Sequence, residues 1–293
     1  MVIKLVNVGF AVEDADRTLD TLETLLGLPA ERLGEDPFSG ADNTGRMPFP
    51  NGCWLHVMDS DQPESPVFQH IRDRGPGLER IVLLVDDAEA ALKRVQSAGV
   101  DLPEDALADT PSGRRFVVPP EYVTGVRVEL LERAPGQWVH DAPSNISGVL
   151  GLQHIGIATR DIQETCEAFS RLFGLEAENL RDDQHAGEQK DGMIKPGNDR
   201  LWFHPTESWG PTARVKRFLD EVGQGLEHLS IEVDDIREAV MRVTDAGVPI
   251  NDNKIFTNRP DGFEAFVYPE HTTGVTIELI EPYPTSRGYR PRK

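Results

Sequence analysis

Cysteine is nearly absent: Cys53 and Cys166 are the only two in 293 residues. Their separation excludes a disulfide framework and a thiolate metal cluster. Each is expected to behave as a small buried apolar residue rather than a nucleophile. Long apolar runs are missing as well. No segment approaches the ~18 apolar residues of a membrane span. The opening MVIKLVNVGF has neither the apolar run nor the cleavage site of a signal peptide. A cytoplasmic protein with no membrane partner is the expectation. Positive charge is scarce, with 30 Lys and Arg against 50 Asp and Glu and a net charge of −20. Such a surface repels polyanions, so no nucleic-acid partner is expected, and a CoA thioester is disfavoured unless a local basic patch offsets the charge. The simplest role of the excess acid is solubility.

What is present describes a globular chain, 38% hydrophobic and 27% charged, long enough for two ordinary domains. The most informative property is self-similarity. GFAVEDADRTLDTLETLLGL from Gly9 is echoed by GIATRDIQETCEAFSRLFGL from Gly156, and WLHVM from Trp54 by WFHPT from Trp202. GLERIVLLVDD from Gly77 reappears as GLEHLSIEVDD from Gly225, and TGVRVELLE from Thr124 as TGVTIELIE from Thr273. Four blocks in order, offset by 147, 148, 148 and 149 residues, define a tandem duplication. The expected domains are 1–134 and 150–284, joined by a Pro-, Gly-, Asn- and Ser-rich linker at 135–149 and followed by a basic tail at 285–293.

Each half is itself two-fold. HIGIATRDI from His154 resembles HLSIEVDDI from His228, and an amphipathic helix follows each. The first segment alternates like a half-buried strand. The second places Ile236, Ala239, Val240 and Val243 at helical spacing, with Gly247 where a helix ends. Shorter apolar runs bounded by turn residues follow, such as RLWFHP, EAFVYP and VTIELIE. The chain reads as an α+β protein of four β-α-β-β-β units.

Four such units with these motifs resemble the vicinal oxygen chelate superfamily, which includes glyoxalase I, methylmalonyl-CoA epimerase, extradiol ring-cleaving dioxygenases and bleomycin-resistance proteins. The resemblance implies two tandem glyoxalase-like domains with open, barrel-like sheets. It also implies one divalent metal ion (Fe, Mn, Co, Ni or Zn) per complete site. Carried over position by position, it makes His154, His228 and Glu278 metal ligands and adds His204 as a fourth. A lone histidine on an apolar strand is ordinarily a core or surface residue. Two at equivalent repeat positions, with a glutamate between Ile277 and Leu279, form a set that a metal would stabilise. The echo of His204 at His56 leaves a shared structural role open.

The N-terminal half is the control. Its matching residues are Asn7, His56, Arg80 and Glu129, a poor set for a transition metal, so this half is expected to be scaffold, lid support or dimer surface. Pairing of units within the second half would assemble all four ligands; pairing across halves would bring His154 and His204 to Glu129 and Arg80.

The family's shared chemistry is bidentate chelation of a small substrate through vicinal oxygens. The metal either stabilises an enolate as a Lewis acid or presents a catecholate to dioxygen. Extra histidines of the ring-cleaving members fall here at Arg200 or Leu201 and at Arg259. The strand endings resemble the epimerase and glyoxalase members, which makes an isomerase, epimerase or lyase the first expectation. An Fe(II) ring-cleaving dioxygenase is the alternative and a non-catalytic small-molecule binding protein the third. Glu278, Tyr268 and the loop carboxylate Glu188 are the expected catalytic residues, with Tyr268 a hydrogen-bond or proton donor and Glu188 a general base. His185 and His271 are expected to be exposed loop residues. A homodimer is a further expectation.

Overall fold

The computed structural model describes residues 1–134, 147–183, 189–198, 200–257, 259 and 261–284. The first half runs β1 (Val2–Ala11), α1 (Ala15–Leu26), β2 (Glu31–Arg32), β3 (Asn43–Pro48), β4 (Trp54–Asp59), α2 (Pro66–Arg74), β5 (Gly77–Val85), α3 (Ala88–Ser97), β6 (Ala108–Thr110), β7 (Gly113–Val118) and β8 (Arg127–Arg133). The second runs β9 (Val149–Thr159), α4 (Ile162–Phe173), β10 (Ala177–Asp183), β11 (Gln189–Ile194), β12 (Trp202–Ser208), α5 (Arg214–Glu221), β13 (Gly225–Val233), α6 (Ile236–Asp245), β14 (Gly262–Val267) and β15 (Thr276–Pro282).

Each half builds one open sheet. The orders are β2-β3-β4-β1-β5-β8-β7-β6 and β10-β11-β12-β9-β13-β15-β14. The expected βαβββ pattern holds in three units. Among the described residues the fourth has one strand fewer: after a 3₁₀ turn at Asn251–Asn253, with Asp252 and Asn253 at positive φ, an isolated bridge joins Phe256 and Glu264. The short helices α2 and α5 are additions to the pattern. No helix among the described residues is long and apolar enough to cross a membrane. The linker residues 135–146 and the tail 285–293 lie outside the described residues.

The repeated acidic residues have a structural cause. Asp14, Asp87, Asp161 and Asp235 each stand in extended conformation at the N-cap of α1, α3, α4 and α6, and their carboxylates accept backbone N–H groups of the first turn. Such a cap is worth ~1 kcal/mol. A second acid serves the first helical N–H of the same unit: Asp59 at Ala15 (2.7 Å), Glu132 at Ala88 (2.8 Å), Glu207 at Ile162 (3.1 Å) and Glu281 at Ile236 (3.0 Å). In the ELLE and ELIE endings, the second glutamate therefore closes a helix end and the first remains for other work. Both cysteines are buried and free, and burial raises the Cys166 thiol to about 11.

Two compact units cut across the sequence halves. One comprises Met1–Val8, Glu79–Val139 and Ile155–Glu227; the other comprises Gly9–Leu78, His140–His154 and His228–Lys293. The same three clamps recur inside each. In the first unit, Thr124 and Thr165 share a hydrogen bond of 2.8 Å, and Arg94 donates to the carbonyls of Ser170, Arg171 and Leu172 at the end of α4. There Asn198 brackets Leu5, accepting from its N–H (2.6 Å) and donating to its carbonyl (3.0 Å). In the second unit, Thr18 meets Thr273 at 2.9 Å, Arg242 donates to the carbonyls of Leu26 and Ser147, and Asn51 brackets Leu152. Thr124 and Thr273 adopt positive φ, 48° and 61°, which costs backbone strain at a β-branched residue. The threonine clamp and the following glycine turn account for the repeated TGV.

Candidate metal centre

The second unit brings together three predicted ligands. His154 lies on β9, His228 on β13 and Glu278 on β15, and all three are buried. β13 and β15 pair in parallel with Ser230 opposite Glu278, so the carboxylate sits one step along from His228 on the same face. The Nε2 atoms of His154 and His228 are 3.0 Å apart, and Glu278 Oε2 is 3.1 Å from His154 Nε2 and 3.5 Å from His228 Nε2. Two nitrogens each about 2.1 Å from one ion at a right angle would be about 3.0 Å apart. The triangle of donor atoms thus fits three adjacent positions around a divalent transition metal, with the remaining positions open to a chelating ligand.

Two features tune this set. His154 Nδ1 is 3.1 Å from Gln153 Oε1. A proton on Nδ1 satisfies that amide oxygen and leaves Nε2 as the metal-binding lone pair. Burial is the largest influence on Glu278 and acts to raise its pKa. The neighbouring imidazoles, His154 before His228, outweigh it and hold the carboxyl well below its ordinary value. Glu278 is therefore an anionic donor throughout the neutral range.

Asn51 was not visible as a site residue. Its side-chain amide donates to the Leu152 carbonyl at 2.7 Å and accepts from the Leu152 N–H at 3.4 Å, two residues before His154. Gly151 permits the approach, since a Cβ there would lie 2.5 Å from Asn51 Cγ. The N-terminal half thus grips the strand that carries His154. Asn51→Ala is expected to lower unfolding free energy by ~1–2 kcal/mol and metal affinity by about tenfold, measured by urea denaturation and by chelator competition.

His204, on β12 of the first unit, has its Nε2 3.5 Å from Oδ2 of Asp191, a buried carboxylate on the adjacent β11. A carboxylate against an imidazole is the arrangement that commonly orients a metal-ligating histidine. Asp191 is a residue that sequence reading missed; its only signal is an acid within the apolar-flanked run QKDGMI. Tyr268 follows β14 by one residue, partly exposed, and His271 is half-buried in a 3₁₀ turn rather than exposed. Glu188 and His185 lie outside the described residues.

The corresponding N-terminal positions contain a cation of their own. Arg80 Nη1 is 3.0 Å from Glu79 and its Nε is 3.4 Å from Glu129, whose other oxygen is 2.9 Å from Arg115. Arg127 pairs with Glu79 at 3.0 Å. Val82 stands opposite Glu129 just as Ser230 stands opposite Glu278. Guanidinium groups compensate Glu129, the repeat counterpart of Glu278, and His56 remains half-buried on β4 without joining a metal-type cluster among the described residues.

Comparison with known proteins gives the family. Residues 153–266 match the Glyoxalase/Bleomycin resistance protein/Dioxygenase superfamily, and residues 8–137 match the Glyoxalase-like domain. The chain belongs to the vicinal oxygen chelate superfamily, a group of metal-dependent enzymes and their relatives. Mitochondrial methylmalonyl-CoA epimerase of Dictyostelium discoideum is 27% identical over 142 residues, 47% of this chain and 83% of that protein. The uncharacterized protein YqjC of Bacillus subtilis is 28% identical over 134 residues, 45% of this chain and 91% of its own. In fold, the whole chain matches 95% of a mutant 4-hydroxymandelate synthase from Streptomyces coelicolor, with a TM-score of 0.73 and 17% identity. It also matches half of a fusion protein joining a xylose isomerase-like TIM barrel to 4-hydroxyphenylpyruvate dioxygenase, with a TM-score of 0.66 and 18% identity.

Proposed function

We propose that the chain is a divalent-metal-dependent isomerase, epimerase or lyase acting on a small substrate with vicinal oxygens. The observation that carries this reading is the 3.0, 3.1 and 3.5 Å triangle of His154, His228 and Glu278 donor atoms. His204, oriented by Asp191, is proposed as the fourth ligand. A bound divalent ion would supply Lewis acidity toward the chelated oxygens, which makes the adjacent C–H acidic. The residues do the rest. Gln153 fixes the His154 tautomer, Tyr268 donates a hydrogen bond to substrate, and a carboxylate takes the substrate proton and returns it. Glu188 is the base inferred from sequence. The half spanning 1–134 serves as scaffold for the metal-bearing half at 150–284, in a small-molecule enzyme that we also propose forms a homodimer.

A two-histidine, one-carboxylate face also suits Fe(II) and dioxygen, and it supports ring cleavage as the second reading. Metal analysis of the purified protein separates the two. Co, Mn, Ni or Zn, with solvent exchange of substrate α-protons followed by NMR in deuterium oxide, supports the first. Iron with substrate-dependent dioxygen uptake replaces it with the second. Within the first reading, Glu188→Gln is expected to slow exchange by ~10²-fold or more while metal content is retained, and an unchanged exchange rate rejects Glu188 as the base.

A further inference from the structure

The face of β13 that carries His228 holds a polar side chain outside the ligand set. Ser230 follows His228 by two residues on β13, so both point to the same side. It pairs in register with Glu278, which sets its hydroxyl beside the carboxylate ligand. Its exposure is 0%, and its Oγ has no hydrogen-bond partner among the described residues. A buried hydroxyl in this state destabilises the fold unless something entering the site satisfies it.

The duplication supplies an internal control. In the half where arginine replaces a metal ligand, Val82 occupies the place of Ser230, opposite Glu129. The next residue on that face changes in the same sense, Leu84 in the first half and buried Glu232 in the second. Polarity at these positions therefore accompanies the ligand set rather than the fold, since the same strand is built with apolar residues where no ligand set exists.

We propose that Ser230 is a substrate-positioning residue, its hydroxyl donating to a third substrate oxygen beyond the two that chelate. This rests on the metal reading above. It favours chelators that carry a carboxylate, such as 2-oxo or 2-hydroxy acids, because chelation through one carboxylate oxygen and its neighbour leaves the other oxygen to accept. A catechol has no third oxygen next to its chelating pair and gains nothing from Ser230.

The test uses the full chain loaded with Co(II), with oxalate and 4-nitrocatechol as probes, read by visible absorption. Ser230→Ala and Ser230→Val, the latter copying Val82, are expected to retain the metal and to weaken oxalate binding by about tenfold or more. Binding of 4-nitrocatechol should stay unchanged. Unaltered oxalate affinity in both variants overturns the proposal, and equal weakening of both probes does so too, because it marks a merely structural role. If the wild-type chain takes up no metal, or His154→Ala keeps it, the metal reading itself fails; a loaded wild type that binds oxalate like Ser230→Ala removes Ser230 alone.

Discussion

Replacing His154 or Glu278 by alanine is expected to abolish stoichiometric metal binding while leaving the chain folded. The two imidazoles and the carboxylate converge within 3.5 Å, so removing any one opens an edge of the triangle. Loss of outer-shell support alone typically costs ~10–100-fold in affinity, and loss of a ligand should exceed that. Inductively coupled plasma analysis and competition with a chelator measure it, and circular dichroism checks the fold. The acid limb should follow the imidazoles. Glu278 has its pKa lowered in the folded chain, so the stability it contributes is present above its unfolded pKa and is lost only as pH falls through the lower folded value. An imidazole must be deprotonated to hold a metal, so release on acidification should begin with protonation of the imidazoles, before Glu278 is neutralised. Retention of metal by His154→Ala, His228→Ala and Glu278→Ala alike would remove the site.

The residues that reveal the fold in sequence are those the duplication preserves. The strand-terminal aspartates, the helical spacing after Asp235 and the TGV endings were legible because each recurs at a fixed offset. Their meaning was only partly so. The acidic pairs mark helix caps, and TGV marks a threonine clamp at positive φ, neither of which a linear pattern distinguishes from a site motif. Among the proposed ligands, His154 and His228 were legible because they stand at equivalent places in two units where the first half has Asn7 and Arg80, and Glu278 because it lies within an apolar strand. Asn51, Asp191 and Ser230 were not. Asn51 acts on backbone 101 residues away, a relation that only tertiary register creates. Asp191 and Ser230 acquire significance from burial, which local composition does not report.

Arg80→Ala is expected to destabilise the protein by about 3 kcal/mol without changing its metal content. The side chains of Glu79, Arg80 and Glu129 are 2%, 3% and 1% exposed, so the charges have little access to water. Arg80 is the cation common to both acids. Its removal leaves Glu79 with Arg127 and Glu129 with Arg115, each pair deprived of a second positive neighbour in a desolvated place. Breaking a buried ion pair typically costs ~3–5 kcal/mol, and the remaining arginines place this case at the lower end. Urea denaturation gives the free energy, and metal analysis of the same sample gives the control. A loss under about 0.5 kcal/mol would mean the cluster is hydrated like a surface pair. Loss of metal in a folded Arg80→Ala chain would show instead that the N-terminal cluster supports the metal centre. The expected result sets the two halves side by side: each buries a glutamate at the same strand position, compensated by guanidinium groups in one and, in the proposed reading, by a metal ion in the other.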